Sequence, residues 1–233
     1  MKNPFQEFEN FQKTRRDIPL DRIVKSRDIT MARIMEGYEK LLEEEVKELV
    51  WLVQYNTVIK AYANAEKNIK DLEFKPEDIE DFCFELDSSD RIPYMITGPA
   101  GIYISALCNH CEENEIVLKL EDIKTQVNLI GYRLPAGKKL AIEGNVGDFV
   151  GIGMEGGELI IEGSAKNYAG AGMRSGKLTI TKNIGHHTGE WMMGGEISVG
   201  GRIRGLGNIM DGKIYERDQL IYPKESRYSN VNF

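Results

Sequence analysis

Hydrophobic positions along the chain keep two different periods, and the change between them falls near residue 90. Ile34, Tyr38, Leu41, Leu42, Val46, Leu49, Val50 and Val53 recur at three- and four-residue steps, with Glu36/Lys40 and Glu43/Lys47 as i,i+4 pairs. That spacing predicts an amphipathic helix. Asp28 or Thr30 suits its N-cap, and Val58, Ile59, Tyr62 and Ala65 continue the period, so one long helix or a broken pair reaches about Asn68. Pro76 followed by Glu77 and Asp78 suits the first turn of a further short helix over 76–85. Packing on their own domain is the default for such helices, and a face kept for a partner protein is the alternative.

Past residue 90 the period shortens. Ile102-Tyr103-Ile104-Ser105-Ala106-Leu107 and Ile116-Val117-Leu118-Lys119-Leu120 are predicted strands joined by a polar turn. From Lys139 the chain repeats itself, because Leu140-Ala141-Ile142-Glu143, Leu159-Ile160-Ile161-Glu162, Leu178-Thr179-Ile180-Thr181 and Ile197-Ser198-Val199-Gly200 begin 19 residues apart. Ile214 follows after a shorter step of 17. Other positions share the spacing: Val146, Ala165, Ile184 and Ile203; Phe149, Tyr168 and His187; Gly151, Gly170 and Gly189; Met154, Met173 and Met192. Residues 127–137 fit the same template, with Leu134 in the methionine place, so at least four full units and a partial one are present. Units this short bury no core alone. Stacked as parallel strands ~4.8 Å apart, they make interior ladders of equivalent side chains. The predicted fold is therefore α+β, with a mainly helical head over 1–90, a right-handed single-stranded parallel β-helix over 91–222 and a tail over 223–233. Met154, Met173 and Met192 should lie above one another inside it.

The repeat decides how a tempting motif is read. Gly151, Gly153 and Gly156 spell G-x-G-x-x-G, but a dinucleotide loop needs a helix opening at the third glycine. Here the third glycine leads into another predicted strand, Glu158-Leu159-Ile160-Ile161, and the motif recurs in degraded form at Gly170-Ala171-Gly172 and Gly189-Glu190-Trp191. Corner geometry accounts for the glycines better than phosphate does.

The run 144–159, GNVGDFVGIGMEGGEL, followed by 163–173, GSAKNYAGAGM, resembles the GXGXG repeat domain. That domain is shared by the C-terminal region of the glutamate synthase large subunit and by one of the subunits of formylmethanofuran dehydrogenase. The resemblance covers roughly residues 115–215. It implies a β-helix without catalytic residues or cofactors of its own, acting as a scaffold between the protein subunits of a redox or amidotransfer complex. A true formylmethanofuran dehydrogenase subunit of this type, and a self-standing homo-oligomer associating through its helical head, are the alternatives.

Charge sharpens the division. Residues 1–90 hold 14 Lys/Arg and 21 Asp/Glu, whereas 91–233 hold 16 of each, so the net charge of -7 resides in the head. An acidic chain without a basic face does not fit nucleic acid, and no run of about 18 apolar residues or basic amphipathic stretch suggests a membrane. The start, MKNPFQEFENFQKTRR, has no apolar signal core, and the expected address is the cytoplasm.

Few residues invite chemistry. Cys108, His110 and Cys111 are candidate metal ligands, with Cys83 as a fourth only if tertiary structure brings it close; two semi-buried thiols at a strand end are the plainer reading. His187 occupies the place of Phe149 and Tyr168, which predicts a stacked ring, and His186 falls at an exposed corner. Glu143 and Glu162 stack in register, as acids in carbohydrate-cleaving coils do, although solvated surface carboxylates are commoner. Met193 breaks the methionine register and should be exposed beside Trp191. The open ends of the coil need caps, for which the head and the segment after Tyr222 are the candidates.

Overall fold

A computed structural model of the chain describes residues 20–46, 53–88 and 97–223, without the side chains of 20–26. Among the described residues four helices come first: α1 (Leu20–Glu45), α2 (Tyr55–Ile69), α3 (Pro76–Ser88) and α4 (Thr97–His110). The predicted long periodic segment is thus a broken pair, α1 and α2. Asp28 and Thr30 lie inside α1, so neither caps it. Leu49 and Val50 of the predicted stripe fall outside the described residues. The short helix begins at Pro76 as expected, and Asp78 accepts the Lys75 N–H at 2.9 Å, filling a donor that the helix start leaves open.

Helix α4 corrects the strand expected over 102–107. Every residue from Gly98 to Cys108 is buried, so the helix is apolar on all sides and shows no stripe. A short apolar run of this kind looks alike as a buried strand and as a buried helix. The helical part consequently extends past residue 90 to His110, and Cys108 and Cys111 lie at a helix end rather than a strand end. Tyr38, Phe82 and Tyr103 form the aromatic centre of the four helices, with ring centroids 5.4–5.5 Å apart. The Tyr103 hydroxyl donates to the Ile34 carbonyl at 2.9 Å, which joins α4 to α1.

Six strands then stack in chain order, all parallel: β1 (Glu115–Lys119), β2 (Lys139–Glu143), β3 (Glu155–Glu162), β4 (Ser175–Ile180), β5 (Met193–Val199) and β6 (Asp211–Glu216). A last strand, β7 (Gln219–Tyr222), turns back antiparallel on β6. Ile116, Leu140, Leu159, Leu178, Ile197 and Ile214 are successive partners across this sheet. The first step is 24 residues, the next three are 19 and the last is 17. One strand per coil, returning parallel each time, is the expected β-helix. Leu134, Met154, Met173 and Met192 are all fully buried, as predicted for an interior ladder.

The helices cover the first end of the coil. Asn109 Nδ2 donates to the Tyr132 carbonyl at 3.0 Å, and Ser105 Oγ accepts the Tyr132 N–H at 3.1 Å while donating within α4 to the Gly101 carbonyl at 2.7 Å. Gly101 fits so closely against this turn that a Cβ there would lie 1.7 Å from the Asn128 carbonyl oxygen. From α3, Asp87 accepts the N–H groups of Lys124 and Thr125, and Glu80 accepts that of Lys119 at the end of β1. Backbone donors left open by the first coil thus find partners on the head. Among the described residues no helix is long and apolar enough to cross a membrane.

Candidate functional site

The corner between strands carries the repeated motif. In the first four coils, alternate residues adopt left-handed backbone: Leu129, Gly131 and Arg133; Phe149, Gly151 and Gly153; Tyr168, Gly170 and Gly172; His187, Gly189 and Trp191. The middle residue is always glycine, and its neighbours in space show why. A Cβ on Gly170 would lie 2.4 Å from Ile197 Cδ1, and one on Gly151 3.0 Å from the Met154 sulfur. Gly156, the third glycine of the apparent nucleotide motif, lies inside β3 and opens no helix. The helix N-terminus that would receive a pyrophosphate is not formed there.

At the first corner position the side chains stack outward. The Phe149 and Tyr168 rings lie 4.6 Å apart and 6° from parallel, and Tyr168 and His187 repeat both values. The spacing is that of adjacent strands, so the coil itself sets the stack. Beside it runs a polar ladder: Asn128 Oδ1 accepts the Asp148 N–H, Asp148 Oδ1 accepts the Asn167 N–H and Nδ2, and Asn167 Oδ1 accepts the His186 N–H, all at 2.8–3.0 Å. His186 is exposed at the corner, as predicted.

His187 has a second partner. Its Nδ1 lies 3.2 Å from Glu190 Oε2, and the other oxygen of Glu190 accepts Asn208 Nδ2 at 2.8 Å. The hydrogen bond from Asn208, with help from His187, holds the Glu190 carboxyl below the usual carboxylate range despite its burial. The repeat does not foretell this buried acid, because Ile152 and Ala171 fill its place in the preceding coils. The break in the pattern is its one signal.

The strand faces carry ionic rows as well. Glu115, Lys139, Glu158, Lys177, Glu196 and Lys213 stand in register and alternate in sign across six strands. Lys139–Glu158 and Lys177–Glu196 approach to 3.8 and 3.5 Å. Glu155 Oε1 is shared by Arg133 Nε at 3.0 Å and Arg174 at 2.9 Å. Glu143 and Glu162 are register partners as expected, at the ends of their strands, the first half-buried and the second exposed.

The cysteines and His110 part company. His110 turns to Glu66 at 3.0 Å, whereas Cys83, Cys108 and Cys111 are buried and free. Burial raises all three thiols, Cys83 to about 12 and Cys111 to about 11, the latter also beside Glu113. Among the described residues no group of three or more His, Cys, Asp or Glu is placed to hold a metal ion.

Later coils change character on one edge. Trp191 takes the left-handed place that Gly153 and Gly172 hold before it, and it is 60% exposed. Met193 and Met210 are exposed too and continue the row begun by Arg174, each donating its N–H to the methionine carbonyl one coil back. An ionic row becomes an apolar one. No family model, curated protein or solved structure matches the chain.

Proposed function

We propose that the chain is a non-catalytic scaffold, a subunit-interaction module of a cytoplasmic oxidoreductase or amidotransferase complex. The observation that carries this reading is the use made of the polar side chains on the coil. Asp148 and Asn167 each commit Oδ1 to an N–H of the next coil, Glu155 is clamped between Arg133 and Arg174 through one oxygen, and Glu190 is held by His187 and Asn208. Groups satisfied in this way stiffen a backbone; a reacting group needs a free lone pair or proton aimed at a cleft. A rigid coil with flat, regularly spaced faces suits a part that holds other proteins at fixed distance. The resemblance of residues 144–173 to the GXGXG repeat domain supports the same role and supplies the kind of complex.

The test is purification of the tagged chain at native level from its own organism. Co-purifying flavin, molybdenum, tungsten or glutaminase subunits in fixed ratio is the expected result. Recovery of the chain alone, stably folded and without partner proteins, contradicts it.

A further inference from the structure

The two ends of the coil are finished differently. At the first end α3 and α4 cover the starting turn. At the other, the interior ladders run out half-covered: Ile203 continues the row of Val146, Ala165 and Ile184, Leu206 pairs with Thr188, and Ile209 follows Met154, Met173 and Met192. The earlier members of all three rows are buried, whereas Ile203, Leu206 and Ile209 are only partly so. Beside them, β7 is the terminal strand of the sheet and, among the described residues, pairs with β6 on one side only. Its residues, Gln219-Leu220-Ile221-Tyr222, carry no charge, and Leu220 is 43% exposed. The apolar edge formed by Trp191, Met193 and Met210 lies on the same late coils.

From these features we infer that the C-terminal end of the coil is a homodimer interface, in which β7 pairs antiparallel with β7 of a second copy across a two-fold axis. A two-fold axis perpendicular to a strand sets the strand antiparallel to its own copy, so one edge supplies matching donors and acceptors for both chains. The pairing extends the sheet through both molecules, with the two β7 strands lying between the last coils of the two chains. Charge permits it. Residues 200–222 hold four basic side chains (Arg202, Arg204, Lys213, Arg217) and three acidic ones (Asp211, Glu216, Asp218), while the net charge of -7 lies in residues 1–90. Association stops at two, because at the opposite end α3 packs along β1 and Glu80 takes the Lys119 N–H, which covers that edge among the described residues. This interface differs from association through the head and holds whether or not the scaffold reading does.

Sedimentation velocity on the full chain tests it. The expected result is a dimer at micromolar concentration whose mass halves in Leu220→Arg, with the circular dichroism of the original. A monomer at every concentration overturns the proposal, whether residues 224–233 of the same chain or nothing covers the end. A dimer that persists unchanged in a folded Leu220→Arg also overturns it. Hydrogen exchange on the unaltered chain gives a check that does not depend on the variant folding. The amides of 219–222 should exchange more slowly as concentration rises, and exchange independent of concentration contradicts pairing through β7.

Discussion

Asn167 donates both its backbone N–H and its side-chain Nδ2 to one oxygen of Asp148, at 2.9 and 3.0 Å, while its own Oδ1 accepts the N–H of His186. One side chain thereby joins three successive coils. In Asn167→Ala the His186 N–H loses its acceptor and Asp148 loses a donor. The expected cost is roughly 1–3 kcal/mol in chemical denaturation, the range for polar groups left without partners. A change below about 0.5 kcal/mol, the scatter of ordinary surface substitutions, would show that the ladder contributes nothing beyond what water supplies.

Gly170 and Gly172 separate two reasons for glycine at a corner. Both have left-handed backbone, with φ of 67° and 61°, but a Cβ at 172 meets nothing within 4 Å, whereas one at 170 runs into Ile197. Gly172→Ala should cost about 1–2 kcal/mol, the penalty for a left-handed alanine. Gly170→Ala should add about 1–3 kcal/mol for overpacking, so its melting temperature falls further. Equal losses would mean that backbone conformation alone selects both glycines.

The alternating row predicts a salt-sensitive variant. Glu158→Lys sets three lysines side by side at 139, 158 and 177, replacing attraction with repulsion between exposed groups. Cross-strand pairs of this kind are worth about 0.2–1 kcal/mol each, so a loss of that order is expected. Raising ionic strength should recover much of it by screening. A loss independent of salt would point to packing instead.

Glu190 makes a pH prediction. Its folded-state pKa is depressed, first by the Asn208 hydrogen bond and then by His187, so it contributes stability that is present above the unfolded carboxylate pKa of ~4.3 and is lost as pH falls through the folded value. Unfolding free energies measured from about pH 6 downward, a range chosen to start above ~4.3, should converge for the parent and Glu190→Gln as acid is added. The parent is expected to be the more stable at the upper end. A gap between the two that stays constant through the acid range would show that Glu190 is not held in its ionised form by these partners.

Most of the coil is readable from spacing because each side chain repeats its neighbour's environment: Leu140, Leu159 and Leu178 face inward for one reason, stated three times. Helix α4 is not, since Ile102, Tyr103 and Ile104 are buried whichever way they point and leave no period to detect. The break between α1 and α2 stays open for a related reason, as apolar spacing continues across it. In the corner, the stacked place of His187 follows from Phe149 and Tyr168. Its partner Glu190 does not, because a residue that departs from the repeat has no copies to explain it. The alternating charges are present in the residues but become a row only once the register is known.

The most direct measurement is a methyl NOE experiment on chain labelled at the methionine methyl carbons, with assignments made by single substitution. The coil predicts contacts from Met154 to Met173 and from Met173 to Met192, but weak or none from Met154 to Met192, which stand two coils apart. It also predicts that adding a nicotinamide dinucleotide leaves these signals where they are. If the sequential contacts are missing, or the dinucleotide shifts Met154 together with the amides of Gly151, Gly153 and Gly156, the glycines serve a nucleotide and the stacked coil is contradicted.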